Sequence, residues 1–497
     1  MESAGSAPSH PSPQAVLAKA CVLHDAIRTR EAYDHTMKQR EPVDADIAVV
    51  MTGICHLIAS ASDPQLQVPK LAAKALGLLA DRHVAAVVDA GAIPPLVQLV
   101  SSSVDDVCGE AICALGHIAG GSVTHRELVL AAGILEPLLK VLRESSHTPV
   151  LRIGAWLLVH VHCREPSYPL ADFAPFVAVL LNHIGQPEQD QGVLECALTV
   201  LTQVSEDELR HAVRAMGLCG RLVELLAHDI LTVRRPASWL VALVAGGTDA
   251  DRDALVECGA MASIKTLLES AEADVNGAAC LTAINMTTGT TAHRQAVIDA
   301  DLVPVLINVA AGGEADLSIN QMAATAIGNI ARGSQQQTEH VAEFGGIQPL
   351  CDLLEGTAGL QQHNFIVVTL PTLDKILAVG RQKQAEEGLP DNTYGTLVEQ
   401  AGGVDKVAAL QTHSDVGIAV KAAMVVAKYF PDRFHGQRLT ALIQEGVIQV
   451  VRQPGGGEDD QATQVGDDGS DGDSYGEREV EVDGQLEGDS GEAGEER

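Results

Sequence analysis

One phrase recurs along this chain at a near-constant interval, and that period constrains the fold more than any other feature. The phrase is an apolar stretch, a Gly or Asp, an Ile, Leu or Met, and then an amphipathic run. It reads Ala90-Gly91-Ala92-Ile93-Pro94-Pro95-Leu96 and returns as Ala132-Gly133-Ile134-Leu135-Glu136-Pro137-Leu138. Further copies begin at Gly217, Gly259, Asp301 and Gly345, so successive intervals are 42, 84, 42, 42 and 44 residues. The double interval holds a degenerate copy near Asp172, and outlying copies start at Gly53 and Gly402. A Gly can end a helix in the left-handed conformation, and a Pro two or three residues on suits the first turn of the next helix.

Between phrases lies a second apolar helix, such as Gly109–Gly120 or Gln321–Arg332, rich in Ala and Gly. Each unit is therefore two or three helices, too small to bury its own faces, and stacking buries them. A period of about 40–47 residues means armadillo or HEAT repeats. The expected fold is all-α, a right-handed α-solenoid of about nine or ten armadillo repeats. Aromatic residues are only 3% of the chain, which suits closely packed helices better than a β-sandwich.

The expected organisation is an N-terminal segment over 1–45, partly disordered, then the solenoid over 46–430. A helical extension over 431–452 and a disordered acidic tail over 453–497 complete the chain. The tail holds sixteen acids and two arginines, so about −14 of the net charge of −33 lies there. A chain this acidic is a poor ligand for nucleic acid and suits a basic protein or peptide partner. No run of about 18 apolar residues predicts a membrane span. The ten cysteines form no CxxC pair and sit mostly in apolar runs, which reads as buried, reduced thiols in cytosol or nucleus.

The Ala-rich helices can be indexed against one another. One column of positions reads Lys74, Cys113, Trp156, Cys196, Trp239, Leu281 and Thr325. Both tryptophans of the chain fall in it. One helical turn later comes Leu78, His117, His160, Val200, Leu243, Asn285 and Asn329. An Asn amide can donate to and accept from an extended peptide backbone. Trp faces can flank the stems of Lys or Arg, with a cation–π contribution of about 0.5–2 kcal/mol. Each residue has a blander reading: Trp as core, Asn as a local backbone partner, His as a satisfied groove residue. His160 and His162, two apart on a helix, point to different faces and make a poor metal site.

At this point the chain resembles importin α, the armadillo adaptor that carries basic nuclear localisation signals to importin β. The resemblance spans roughly residues 46–430. It rests on GAIPPLVQLVSS (91–102), EAICALGHIAGGS (110–122), VAGGTDADR (244–252), AINMTTGT (283–290), TAIGNIARGSQQQ (325–337) and GIQPLCDLL (346–354). The ending is the most telling part: LDKILAVGRQKQ (373–384), then NTYGTLVEQAGGVDKVAALQTHSD (392–415). A flexible insert is expected at Ala385–Asn392.

The resemblance implies a concave groove with a major site early and a minor site late, each built from Trp-x-x-x-Asn pairs. These carry over in part: Trp156 pairs with His160 and Cys113 with His117, while Asn285 and Asn329 keep the amide without the Trp. Trp239 falls where the family usually has Arg. Asp249 matches an acid that fixes a basic side chain, and Gly121 replaces another such acid. The implied peptide-binding residues are Trp156, His160, Trp239, Asp249, Asn285, Asn329 and His117.

The implied partners are basic cargo peptides, with importin β and an export receptor as further candidates. Neither a cofactor nor a metal is implied, and the implied location is cytoplasm and nucleus. One departure concerns the Arg/Lys-rich segment with which the family begins. Met1–Pro42 holds only Lys19, Arg28, Arg30, Lys38 and Arg40. Loss of the segment, a truncated reading of the chain and a derived relative with another role all remain open. The alternative function is an armadillo scaffold with a degenerate groove. An enzyme is disfavoured: no G-x-S-x-G, P-loop or HExxH motif is present.

Overall fold

The computed structural model describes residues 67–162, 173–312, 317–354 and 360–433. The expected N-terminal segment, the start of the solenoid, Asp172 at the head of the degenerate copy, residues 434–452 of the extension and the acidic tail lie outside the described residues, while the rest of that copy forms a helix. Two compact units divide the chain between Val305 and Leu306.

In the first unit the chain runs through α1 (Gln67–Asp89), α2 (Ile93–Val100), α3 (Asp105–Gly121), α4 (Val123–Ala131) and α5 (Leu135–Glu144). Next come α6 (Thr148–His162), α7 (Ala174–Ile184), α8 (Gln191–Leu201), α9 (Glu206–Ala215) and α10 (Cys219–Leu225). They are followed by α11 (Leu231–Ala245), α12 (Asp249–Glu257), α13 (Ala260–Leu268), α14 (Ala273–Thr288) and α15 (Thr291–Asp299). The division falls within α16 (Val303–Ala310). The second unit holds α17 (Leu317–Ala331), α18 (Gln335–Glu343), α19 (Ile347–Asp352), α20 (Leu360–Glu387), α21 (Thr393–Gln400), α22 (Gly403–Leu410) and α23 (Val416–Tyr429). Every one of these elements is a helix, and the fold is the expected all-α armadillo solenoid.

The recurring phrase sits where the short first helix of a repeat turns into the second. Gly91, Gly133, Gly217, Gly259, Gly345 and Gly402 all have positive φ, between 65° and 91°. Asp301, with φ 56°, is the one non-Gly residue among the described residues with positive φ. At Gly217 the N–H bonds Arg214 O, and the next N–H, from Leu218, reaches Val213 O. The same pair of bonds recurs at Asp301 and Gly345. This left-handed stop satisfies carbonyls that the ended helix leaves open. Asp tolerates the conformation better than most L residues, and here its carboxylate also accepts from Lys265 Nζ at 2.8 Å.

The third helix of each repeat packs on the one before it. In the first unit α1, α3, α6, α8, α11 and α14 contact in that order, and in the second α17, α20 and α23 do so. Small residues allow the approach: a Cβ on Gly77 would stand 3.6 Å from the Ala114 backbone. The buried faces are aliphatic, as with Leu115, Leu158, Leu198 and Leu240, all essentially inaccessible. Burial of this kind contributes about 1.5–3 kcal/mol per large side chain.

One local expectation needs correction. The insert at Ala385–Asn392 is helical for its first three residues, because α20 continues to Glu387. Lys383 pairs with Glu343 of α18 at 2.8 Å, and Gln382 bonds Glu386 one turn on, so the last turns are tied down. Gly388, with φ 66°, stops the helix, and Asn392 caps the next by accepting from the Tyr394 and Gly395 N–H groups. The cysteines also divide: Cys108, Cys219, Cys280 and Cys351 are buried as expected, but Cys258, on the cap of α12, is exposed. Burial pushes the Cys280 and Cys351 thiols up to about 12.

The left-handed turns give a stability test. Gly259→Ala places a Cβ in a conformation that costs roughly 1–2 kcal/mol. Asp301→Gly relieves such a cost, so it is expected to raise the thermal midpoint while Gly259→Ala lowers it. Thermal denaturation of the two variants against the parent chain checks both signs.

Candidate functional site

The indexed column forms a strip that reaches solvent. Cys113, Trp156, Cys196, Leu281 and Thr325 are partly exposed, and Trp239 is 37% exposed. Their neighbours along the chain, such as Ile112 and Ala114, or Ser238 and Leu240, are buried. Helical periodicity thus brings one position per repeat to the same face of the row. In the second unit, taken by itself, Val367 on α20 and Met424 on α23 are exposed apolar residues of third helices, at 47% and 52%. Sequence reasoning missed both. Val367 follows Thr325 by one repeat, so the period would have found it. Met424 comes later than the next repeat position, because the long helix α20 breaks the interval.

Trp156 is the centre of an aromatic group. His160, one turn on, stands 4.3 Å from it by ring centroids, and His117 from α3 meets it nearly edge-on at 5.4 Å. Glycines of α3 make the seat. A Cβ on Gly116 would collide with the Trp156 ring, and one on Gly120 would lie 2.8 Å from the His160 ring. One side of the indole therefore rests on the preceding helix. Three residues expected to act together, His117, Trp156 and His160, do meet. His162 points the other way, into the core against Phe173 at 4.3 Å.

Trp156 also lines a cleft of about 650 Å³ whose opposite wall is Trp239. Cys196 and Thr199 of α8 lie between the tryptophans, and Leu243 of α11 joins the lining. Ion pairs join successive third helices. Arg152 grips Asp190 through two bonds, from Nε at 3.0 Å and from Nη2 at 2.5 Å. The Asp190 carboxyl is held below its usual range, first by the hydrogen bond from Arg152 and despite its partial burial. Arg235 Nε pairs with Asp274 at 3.1 Å, Lys74 with Glu110 at 3.9 Å, and Lys70 with Asp106. The two members of each pair come from adjacent repeats, which is why no local pattern revealed them.

The remaining candidates are more tied up than expected. One N–H of Asn285 donates to Ala242 O on the preceding third helix at 2.9 Å, and its amide sits over Gly246. Asp249 accepts from Arg252 Nη1 at 2.8 Å, and Arg252 Nε in turn donates to Asn285 O. The arginine thus ties the acid to the backbone carbonyl of Asn285, not to its side-chain amide. Asn329, in the second unit, is only 4% exposed, and its Oδ1 accepts from Arg332 at 2.6 Å. Among the described residues no group of three or more His, Cys, Asp or Glu is placed to hold a metal ion. No described helix is long and apolar enough to cross a membrane.

Comparison with known proteins agrees with the repeat architecture. The armadillo/beta-catenin-like repeat family matches residues 80–120 and 290–332, and the atypical Arm repeat family matches 392–437. Importin subunit alpha-4 of Arabidopsis thaliana is 32% identical over 419 residues, covering 83% of this chain and 76% of that protein. The chain belongs to the importin α family. Importin subunit alpha-8 of the same plant is 31% identical and is matched over 85% of its length. Importin subunit alpha-1b of Oryza sativa subsp. japonica is 30% identical over 69% of this chain, which spans 64% of that relative's length. An engineered protein of known crystal structure superposes with a TM-score of 0.61 at 25% identity, covering 78% of this chain and 91% of its own.

The glycine seat is testable through fluorescence. Gly116→Val should unseat Trp156, cost about 1–3 kcal/mol by overpacking, and shift the emission of the indole. Unchanged emission and stability would show that the ring does not depend on that contact.

Proposed function

We propose that this chain is an importin-α-like adaptor that holds an extended, basic segment of its cargo along the solvent-facing strip of its third helices. It acts by binding, without chemistry, and works between cytoplasm and nucleus. The observation that carries the reading is the strip itself. A single row of positions reaches solvent once per repeat, and both tryptophans of the chain stand in it beside polar groups. In the first unit, Trp156 and Trp239 would flank the stems of basic side chains. His117 and His160 line the same strip beside Trp156. Asn285 keeps its Oδ1 and a second N–H for a peptide backbone, and Asp249 offers a half-exposed carboxylate. In the second unit, Asn329 would serve once Arg332 lets go of its carbonyl. Importin β and an export receptor are the partners such an adaptor would need.

A second reading has its own support. Asp190 and Asp274, which would otherwise attract lysines, are already paired with Arg152 and Arg235. That favours an armadillo scaffold whose groove has turned to other partners.

The experiment is titration of the full chain with a fluorescent bipartite Lys/Arg-rich peptide and an acidic control at physiological salt. Selective binding of the basic peptide, weakening as salt is raised, is the expected result. Trp156→Ala and Asn285→Ala should each weaken it by about 0.5–2 kcal/mol. Asn329→Ala is expected to act in the same direction. Absence of binding to either peptide would favour the scaffold.

A further inference from the structure

The cleft between the two tryptophans is too wide for one lysine stem to touch both rings, although each ring alone can flank a stem outside it. Trp156 and Trp239 belong to alternate third helices, α6 and α11, and the intervening helix α8 presents Cys196 at the matching position. Packed helices stand about 8–10 Å apart, so rings on alternate helices belong to axes roughly 16–20 Å apart. A methylene stem, touching a ring on each side at about 3.5–4 Å, fills a gap of only about 7–8 Å. The cleft has a volume of about 650 Å³, in the size range of pockets that enclose whole ligand groups. Its walls are Trp156, Val159, Cys196, Pro236, Trp239 and Leu243, softened by threonine hydroxyls.

Charge points the same way. The lining holds one acid, Glu195, and one base, Arg235. Glu195 Oε1 already accepts from Thr232 and from Gln191, both at 2.7 Å. Arg235 is shared with Asp274, and Asp190 at the head of α8 is held by Arg152. A lysine entering here would find a neutral lining rather than an open carboxylate field. A large uncharged side chain would remove two indole faces and the aliphatic floor from water, which is favourable without any partner charge.

We propose that this cleft is a specificity pocket for one bulky uncharged side chain, aromatic or long aliphatic, within the peptide that the strip binds. The pocket rests on the reading that an extended peptide lies along the strip. It adds a requirement that basic charge alone does not meet: an apolar anchor between the basic residues.

The chain supplies its own reporter, because its only two tryptophans are the two walls. Tryptophan-free peptides of one sequence, with lysines on both flanks and Phe, Ala or Lys at the centre, are titrated into the full chain. Binding is followed by peptide anisotropy, and the indoles by emission and acrylamide quenching. The Phe peptide should bind about 5–10-fold tighter than the Lys peptide and protect the indoles more. Trp239→Ala should remove that preference, bringing the Phe and Lys peptides to within about twofold of each other whatever it costs both. Cys196→Trp, which fills the cleft floor, should remove it as well, so the test survives loss of either variant. Equal or tighter binding of the Lys peptide would overturn the pocket while leaving the adaptor reading intact. Failure of all three peptides to bind would overturn both.

Discussion

In the first unit each third helix packs on the third helix before it, and that contact depends on residues too small to keep the two apart. Gly77 against Ala114 and Gly116 beneath Trp156 are the clearest cases. No repeat encloses a core of its own, so stability accumulates from neighbour to neighbour. The left-handed turns at Gly91, Gly133, Gly217 and Gly259 set the angle at which each repeat re-enters the stack. Asp301 does the same with a side chain that pairs to Lys265.

The binding strip is a by-product of that stacking. Two sides of each third helix are taken by neighbours and a third by the second helices, so one narrow face is left for solvent. Whatever stands there is presented once per repeat. The glycines that permit close approach also let Trp156 and His160 lie down on α3 instead of standing free. The ion pairs from Arg152 to Asp190 and from Arg235 to Asp274 span the same helix contacts. They bind adjacent repeats together and at the same time quench the acidity that a basic ligand would feel.

Much of the fold was legible because a period is a property of the chain itself. The spacing of Gly91, Gly133, Gly217, Gly259, Asp301 and Gly345 located the turns, and the columns through Trp156 and Asn285 located the strip. What stayed hidden was the partner that each polar group takes. The amide of Asn285 reads as an open donor until Ala242 O is found 2.9 Å away. Asn329 follows the same column yet is buried beneath Arg332. Met424 lay outside the column because α20 runs on to Glu387 before the chain turns.

The sequence by itself determined the repeat, the helical class, the left-handed turn positions and the family, since each follows from residue type at fixed spacing. Tertiary structure alone decided which polar groups are open. Whether a carboxylate or an amide is available depends on what the neighbouring helix brings within about 3 Å of it. That is set by how two helices nest, not by the order of residues along either one.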